Sequence, residues 1–572
     1  MQSTVAIDLG ASKAVLAALR RGEPQLIAGR DGGPLVPTAL AVTAPGVLVH
    51  GHAAEAAGPQ AARAFVSRLG QAAALPFNGL EYTPGELAAL LLAELRDDAA
   101  AALGRPVGRA VLAAPLSCGQ RQLAALRDAA RRAGLLVPGI VPSPIAAALA
   151  YGHNHPEAPP QTLLVVDFGA ASLGVAVLRT FPGALTVLAQ AGETWLGGED
   201  LTQSIVARLV QGLQRRRGVL IDESQAARQA LRWHLRQAAE QAKVALTIVE
   251  EAGLVLAPEQ LGVPAAIDVA LTRAQFEALV RPRLEEALTV VEQALAAARL
   301  AGSEVDAVLL AGGSSQVPLW QALLLARLRR ARLLRDFNPL TGVALGAALW
   351  AGMLGEVHCP ACGLAQPFEA AACPRCGRPL SGEPRLACPR CFVPNDARRS
   401  GCVKCGTSLR AARQAGNLAR VRNPRTTRGP SGLRCSRCGL VAPIGATVCA
   451  ACGEAIAPFV GALSRSSLGI EGEGGRIDAI LPRGRPLPTP EPAHRTLVAA
   501  GPLLELAIYE GDKPFACQNE RCAVLHVALP EGVPLAGRVD VALGLDRDGL
   551  LSAQARLAGD RGHELDAWLE WE

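Results

Sequence analysis

Residues 162–178, TLLVVDFGAASLGVAVL, decide the fold. An apolar run rich in β-branched residues ends on Asp167 and Phe168, a turn of small residues follows from Gly169 to Ser172, and a second apolar run leaves it. A strand ending in such a turn exposes successive backbone N–H groups, which can cradle phosphate oxygens. The start of the chain repeats the pattern in Asp8-Leu9-Gly10-Ala11-Ser12, 159 residues upstream. A single Asp-x-Gly turn is also what a plain hairpin would show. Two of them suggest a duplicated phosphate clamp, with Asp8 and Asp167 placed to hold a hydrated magnesium ion and Ser12 and Ser172 to donate to phosphate.

Working outward, RAVLAAP and VDAVLLAGG read as further strands, and LAALLLAELRDDAAAAL and FEALVRPRLEEALTVVEQALAAARL repeat apolar residues at helical spacing. Alternating strands and helices predict an α/β fold through residue 355. GETWLGGED, AEQAKVALT and LLAGGSSQVP add Gly-Gly turns and polar residues that let the backbone approach a flat ligand. Taken singly, each is ordinary turn chemistry.

The whole chain has 572 residues, 50% hydrophobic and 19% charged, which excludes a disordered polymer. No run of about 18 uncharged apolar residues exists, so no membrane span is expected. MQSTVAIDLGASK lacks the basic and apolar segments of a secretory signal, and a cytoplasmic location is the expectation.

The 15 cysteines are unevenly placed: Cys118 stands alone before residue 355, twelve fall between 359 and 452, and Cys517 and Cys522 follow. In a reducing compartment such clustering points to metal before disulfides. Cys359, Cys362, Cys373 and Cys376 form a first quartet, Cys388, Cys391, Cys402 and Cys405 a second, and Cys435, Cys438, Cys449 and Cys452 a third. Each is two Cys-x₂-Cys knuckles ten residues apart, the pattern of a tetrahedral S₄ zinc site, although an iron–sulfur cluster takes the same ligands. Modules this small bury little, and the metal would supply their folding energy, about 10–16 kcal/mol per site. Glycine follows the second cysteine of five knuckles; Phe392 is the exception.

The net charge of +6 is an average: residues 356–463 sum to +10 and the remainder to −4. Residues 406–434 hold seven arginines and no acid, a nucleic-acid contact or a solvated linker. No aromatic residue interleaves the arginines to stack bases, and the linker is favoured. From Ser466 onward short strands broken by Gly, Pro and Asp-Gly predict an antiparallel β-domain, with Cys517 and Cys522 as free thiols in a loop.

The order of IDLGAS, GQRQLAALRDA, PSPIAAALAYG, VVDFGAASLGVAVL, GETWLGGEDL, EQAKVAL, LLAGGSSQVP and NPLTGVALGAAL resembles the heat shock protein 70 family of the actin-like ATPase superfamily. The quartets resemble double zinc ribbons. The resemblance implies two lobes around an ATP cleft, with phosphates and Mg²⁺ between the Gly10 and Gly169 turns and catalysis resting on Asp8 and Asp167. Adenosine would lie among Gly197, Gly198, Glu240, Lys243, Gly312, Gly313 and Ser314. The family's catalytic lysine falls at Ser67 and its catalytic glutamate at Ser143, while Lys13 adds a charge beside the first turn. Losing one preorganised stabiliser costs about 10²–10³ in rate, so hydrolysis is expected to be weak or lost while ATP binding persists.

SLGIEGEGGRIDAILPRGRPLPT, LVAAGPLLELAIYEGD and VDVALGLDRDGLLSAQA track the family's peptide-binding β-sandwich, with no segment matching its helical lid. On that likeness Ile470, Leu497, Leu504 and Leu506 line a cleft for unfolded or extended polypeptide. A J-domain or nucleotide-exchange protein is an implied partner. The expected division is a nucleotide-binding region at 1–355, ribbons with one Zn²⁺ each at 356–380, 381–409 and 432–457, an Arg-rich linker at 410–431, and a β-sandwich at 464–572.

Overall fold

The computed structural model describes residues 3–217, 226–256, 267–354, 356–359, 364–368, 370–380, 382–383, 385–410, 433–434, 441–442, 463–499, 501–530, 537–558 and 564–571. Two sheets organise the first 350 residues, each built around one Asp-tipped hairpin. In the first, Ser3–Leu9 runs antiparallel to Lys13–Arg20 and parallel to Val107–Ala114, with Asp8 opposite Val15 and Ala113. In the second, Gln161–Phe168 runs antiparallel to Ser172–Phe181 and parallel to Ala307–Ala311, with Asp167 opposite Gly174 and Ala311. The same neighbours recur in the same senses, so the duplication legible in the two turns is a duplication of lobes. These central strands read as unbroken apolar runs because both faces are covered. Val5 and Ile7 enter the core of the first lobe, while Ala6 joins a core shared with the second.

That shared core holds two helices, Ser143–Asn154 and Gly342–Met353, wedged between the sheets. Their small residues allow close approach: a Cβ at Gly346 would sit 1.7 Å from the Ala146 carbonyl oxygen. On the outside of the first lobe, Pro84–Leu103 begins with a Thr83–Glu86 capping box and buries Leu87, Leu90, Leu91 and Leu95 completely. Arg273–Ala298 covers the second lobe, capped by Thr272 and Gln275.

A charge cluster stiffens the first lobe at the edge of helix Pro84–Leu103. His50 Nε2 lies 2.8 Å from Asp98, which also takes Arg30 at 2.9 Å, and Glu94 sits 3.5 Å from His50 Nδ1. Burial alone would push the His50 pKa down, but hydrogen bonds and charge from Asp98 and Glu94 outweigh it and raise the group from 6.5 to about 9. A pKa raised on folding contributes stability that is complete below pH 6.5 and is lost as pH rises through 9. The shift corresponds to about 3 kcal/mol. The melting temperature is therefore expected to fall between pH 7.5 and 9.5 in the wild-type protein and to change much less in His50→Gln. Equal pH profiles for the two proteins would refute the cluster's role.

Beyond residue 463, five strands in the order Ile477–Leu481, Leu468–Glu471, Leu503–Glu510, Glu520–Ala528, Asp566–Trp571 form one antiparallel sheet. Ala493–Val498, Arg538–Leu545 and Leu551–Leu557 form another. Both sheets feed one apolar core. The loop expected to carry both late cysteines is shorter than the sequence suggested. Cys517 is exposed in a single helical turn, whereas Cys522 is a buried strand residue whose thiol reaches the Ile508 carbonyl at 3.4 Å. Glu520–Ala528 is a nine-residue apolar-facing strand, and the pairing with Ile508–Glu510 draws Cys522 into the sheet.

Candidate functional site

The two turns close tightly. Gly10 N–H donates to the Lys13 carbonyl at 3.1 Å and Gly169 N–H to the Ser172 carbonyl at 3.0 Å. Thr38, buried beside the first turn, donates its hydroxyl to the Gly10 carbonyl at 2.8 Å and its N–H to Ser12. Ser12 and Lys13 are exposed, and Ser172 is half-buried. Gly197 and Gly198 dock directly on the second turn, with Gly198 N–H donating to Gly169 and Glu199 N–H to Ala170.

Around Gly198 the predicted ligand-binding residues converge. A Cβ there would lie 2.4 Å from Ser314 Oγ and 3.1 Å from Lys243 Nζ. Ser314 in turn donates to the Gly169 carbonyl at 2.8 Å. Lys243 is buried and donates to the Gly198 carbonyl (2.8 Å), Thr202 Oγ1 (2.9 Å) and Glu240 (2.8 Å). Thr202 completes the group by donating to Glu240 at 2.6 Å. Thr202 was missing from the sequence reading. It stands one helical turn beyond Gly198, at the i+4 position of helix Gly198–Arg217, where the Gly-Gly turn alone gives no sign of it. Gly312 follows the parallel strand in a left-handed conformation (φ 79°), and a Cβ there would lie 2.9 Å from Asp167 Oδ1. Gly313 is exposed beside Leu340.

Asp8 and Asp167 end the central strands of the two lobes. Burial and the charge of Asp167 push the Asp8 carboxyl up to about 7. Burial raises Asp167 to about 6, partly offset by a hydrogen bond from Ser143. Two recessed carboxylates that repel each other are the donor set a hydrated dication neutralises. The residues therefore fit magnesium, and the tight turns either side of it fit phosphate. Ser143, buried at the start of its helix, serves as a bond donor to Asp167; Ser67 donates to the Ala64 carbonyl at 3.0 Å.

The second cysteine quartet is assembled. The four Sγ atoms of Cys388, Cys391, Cys402 and Cys405 lie within 4.8 Å of one another, with closest pairs at 3.5 Å. Tetrahedral zinc with bonds of about 2.3 Å puts sulfurs about 3.8 Å apart, so the thiols fit the metal. Cys359, Cys373 and Cys376 gather in the same way. Cys362 and the whole third quartet, Cys435, Cys438, Cys449 and Cys452, lie outside the described residues, as does most of the Arg-rich linker.

Both described clusters sit on the first lobe. Arg109, buried in strand Val107–Ala114, donates to the carbonyls of Leu380 (2.7 Å), Ala370 (2.6 Å) and Phe368 in the first. Tyr82 donates to the Cys391 carbonyl at 2.9 Å in the second. In the C-terminal region Ile470 is buried in the core between the sheets, and Leu497, Leu504 and Leu506 are half-buried against that same core.

Among protein-family models, residues 388–453 match the double zinc ribbon, which spans the second and third quartets. Residues 67–359, half of the sequence, match the Hsp70 protein model, covering the lobe-joining helices, the Asp167 turn and the Gly198 and Gly312 turns. On the strength of that match and of the duplicated Asp-tipped lobes, the chain belongs to the Hsp70 family, and it carries a zinc ribbon module.

Proposed function

We propose that the chain binds magnesium–ATP between its two lobes and engages unfolded or extended polypeptide through its C-terminal sheets, as a chaperone-like protein. The observation that carries the first half is the pairing of Asp8 with Asp167 at the ends of equivalent strands. Magnesium supplies charge neutralisation for the phosphates when bound. Asp8 and Asp167 would hold its hydration shell, and the N–H groups of both turns would take phosphate oxygens. The Lys243–Thr202–Glu240 network would present the ribose and base with a prearranged polar wall.

The polypeptide half rests on an open sheet edge. Along strand Leu503–Glu510, the segment Leu468–Ile470 reaches only Ile508–Glu510, leaving the outer edge of 503–507 without a ladder partner among the described residues. An extended segment can add there through its backbone, and the half-buried Leu504 and Leu506 would offer it apolar contact.

A second reading, a nucleotide-binding scaffold that does not hydrolyse, is favoured by Ser143. It occupies the position of the family's glutamate and is committed to Asp167. Single-turnover hydrolysis separates the two. A rate above that of Asp8→Ala and Asp167→Ala supports turnover, and a rate equal to theirs leaves the scaffold. For the peptide, fluorescence anisotropy should show affinity for an apolar heptapeptide falling about tenfold in Leu504→Asp, the value of one lost apolar pocket contact. Unchanged affinity would move the site elsewhere.

A further inference from the structure

Phe392 breaks the glycine pattern of the knuckles, and its surroundings give a reason. The residues at the matching position of two other knuckles, Gly377 and Gly406, have φ of 70°, and Phe392 adopts φ 60° with a full aromatic side chain. That conformation costs a bulky residue roughly 1–2 kcal/mol, and it persists where surrounding packing overdetermines it. Here the ring is 6% exposed and belongs to the same apolar core as Leu87, Leu90 and Leu91 of helix Pro84–Leu103. Cys388, Cys391, Val393, Cys402 and Leu409 are members of that core too. The seam is polar at its rim. Lys404 Nζ lies 2.8 Å from Glu86, the capping-box residue of the helix, and 4.3 Å from the centre of the Tyr82 ring, while Tyr82 holds the Cys391 carbonyl.

We infer that the second ribbon is a metal-dependent prop of the nucleotide-binding lobe: zinc at Cys388, Cys391, Cys402 and Cys405 holds the Phe392 knuckle in the lobe's core, so metal occupancy sets the lobe's stability and its nucleotide affinity. The same core reaches the first Asp-tipped turn, since Leu9 and Ala14, on either side of Gly10–Lys13, belong to it. A freely swinging ribbon would need none of these contacts, and glycine would be the better residue at 392. The affinity arm rests on the nucleotide reading above; the stability arm does not.

The test uses the full zinc-loaded chain and Phe392→Gly, with zinc per chain, nucleotide-free melting temperature and affinity for a fluorescent ATP analogue as readouts. A free ribbon predicts that Phe392→Gly is neutral or stabilising, since strain is relieved. A prop predicts the opposite sign: unchanged zinc content, a melting temperature lower by about 5–10 °C as for an emptied aromatic core site, and nucleotide affinity weaker by about fivefold or more. If that variant does not fold, wild-type protein titrated with a zinc chelator decides. Hydrogen exchange should accelerate in helix Pro84–Leu103 as zinc leaves. A helix that keeps its protection after the metal has gone overturns the inference, as does a Phe392→Gly protein as stable as wild type. A wild-type chain that binds no nucleotide but melts as described retains the prop and loses only the nucleotide reading.

Discussion

Asp167→Asn is expected to abolish most magnesium-dependent nucleotide affinity while leaving the empty protein as stable as wild type or more so. The two halves of that expectation share one cause. Burial raises both Asp8 and Asp167 above the usual carboxylate range, and the charge of Asp167 raises Asp8 further. The folded protein therefore bears a desolvation cost at this point for a charge pair useful only against a cation. Neutralising Asp167 relieves Asp8 and preserves volume. Even one pair of unit charges about 4 Å apart at an effective dielectric of 20 is worth about 4 kcal/mol, and magnesium carries two, so the dissociation constant should rise by about 10³-fold or more. Calorimetry with ATP in magnesium and in chelator isolates the effect, because binding through the backbone turns alone should be similar in both proteins. A variant that binds magnesium–ATP like the wild type would remove Asp167 from the site.

Much of this site was legible because its signals are local. A strand, an Asp, a small-residue turn and another strand occupy about a dozen consecutive positions, and the Cys-x₂-Cys spacing is shorter still. The repeated turn suggests a duplicated phosphate clamp, and the two lobes are what the resemblance to the heat shock protein 70 family implies. Illegible were the contacts between segments hundreds of residues apart. Nothing near Tyr82 announces Cys391, 309 positions later, and nothing near Arg109 announces Leu380. Ser143 looked like a lost catalytic group; only the fold reveals it as a donor to Asp167. Phe392 lies between these cases. Its departure from the glycine pattern was visible in the sequence, but the departure has a meaning only once the helix that receives the ring is in place.

Asp548→Ala should loosen the C-terminal region from the first lobe, an effect that the many other contacts at this junction do not compensate. Asp548 is 4% exposed, and its Oδ1 accepts the Ile140 N–H at 2.8 Å while its other oxygen takes Arg127. Arg127 also reaches Asp546 at 3.1 Å, and Asp546 itself accepts the N–H groups of Asp548 and Leu550, so the loop is rigid before it docks. A second carboxylate makes a parallel contact. Glu510 accepts the Gln120 N–H at 2.8 Å, at the positive N-terminal end of helix Gln120–Arg132. Deleting the Asp548 carboxylate leaves Arg127 partly unpaired and the Ile140 N–H orphaned in a buried seam. Breaking such a pair costs about 3–5 kcal/mol, roughly 10²–10⁴ in the docking equilibrium. Arg121–Glu520 is the internal control. It spans the same junction at 2.9 Å, but Glu520 is exposed, and Glu520→Ala should cost about 0–1 kcal/mol. Amide exchange at Gln120 and Ile140 reads both outcomes, with fast exchange expected in Asp548→Ala and near-wild-type protection in Glu520→Ala. Equal protection in the two variants would mean that apolar packing, and not the buried carboxylate, holds the C-terminal sheets against the lobe.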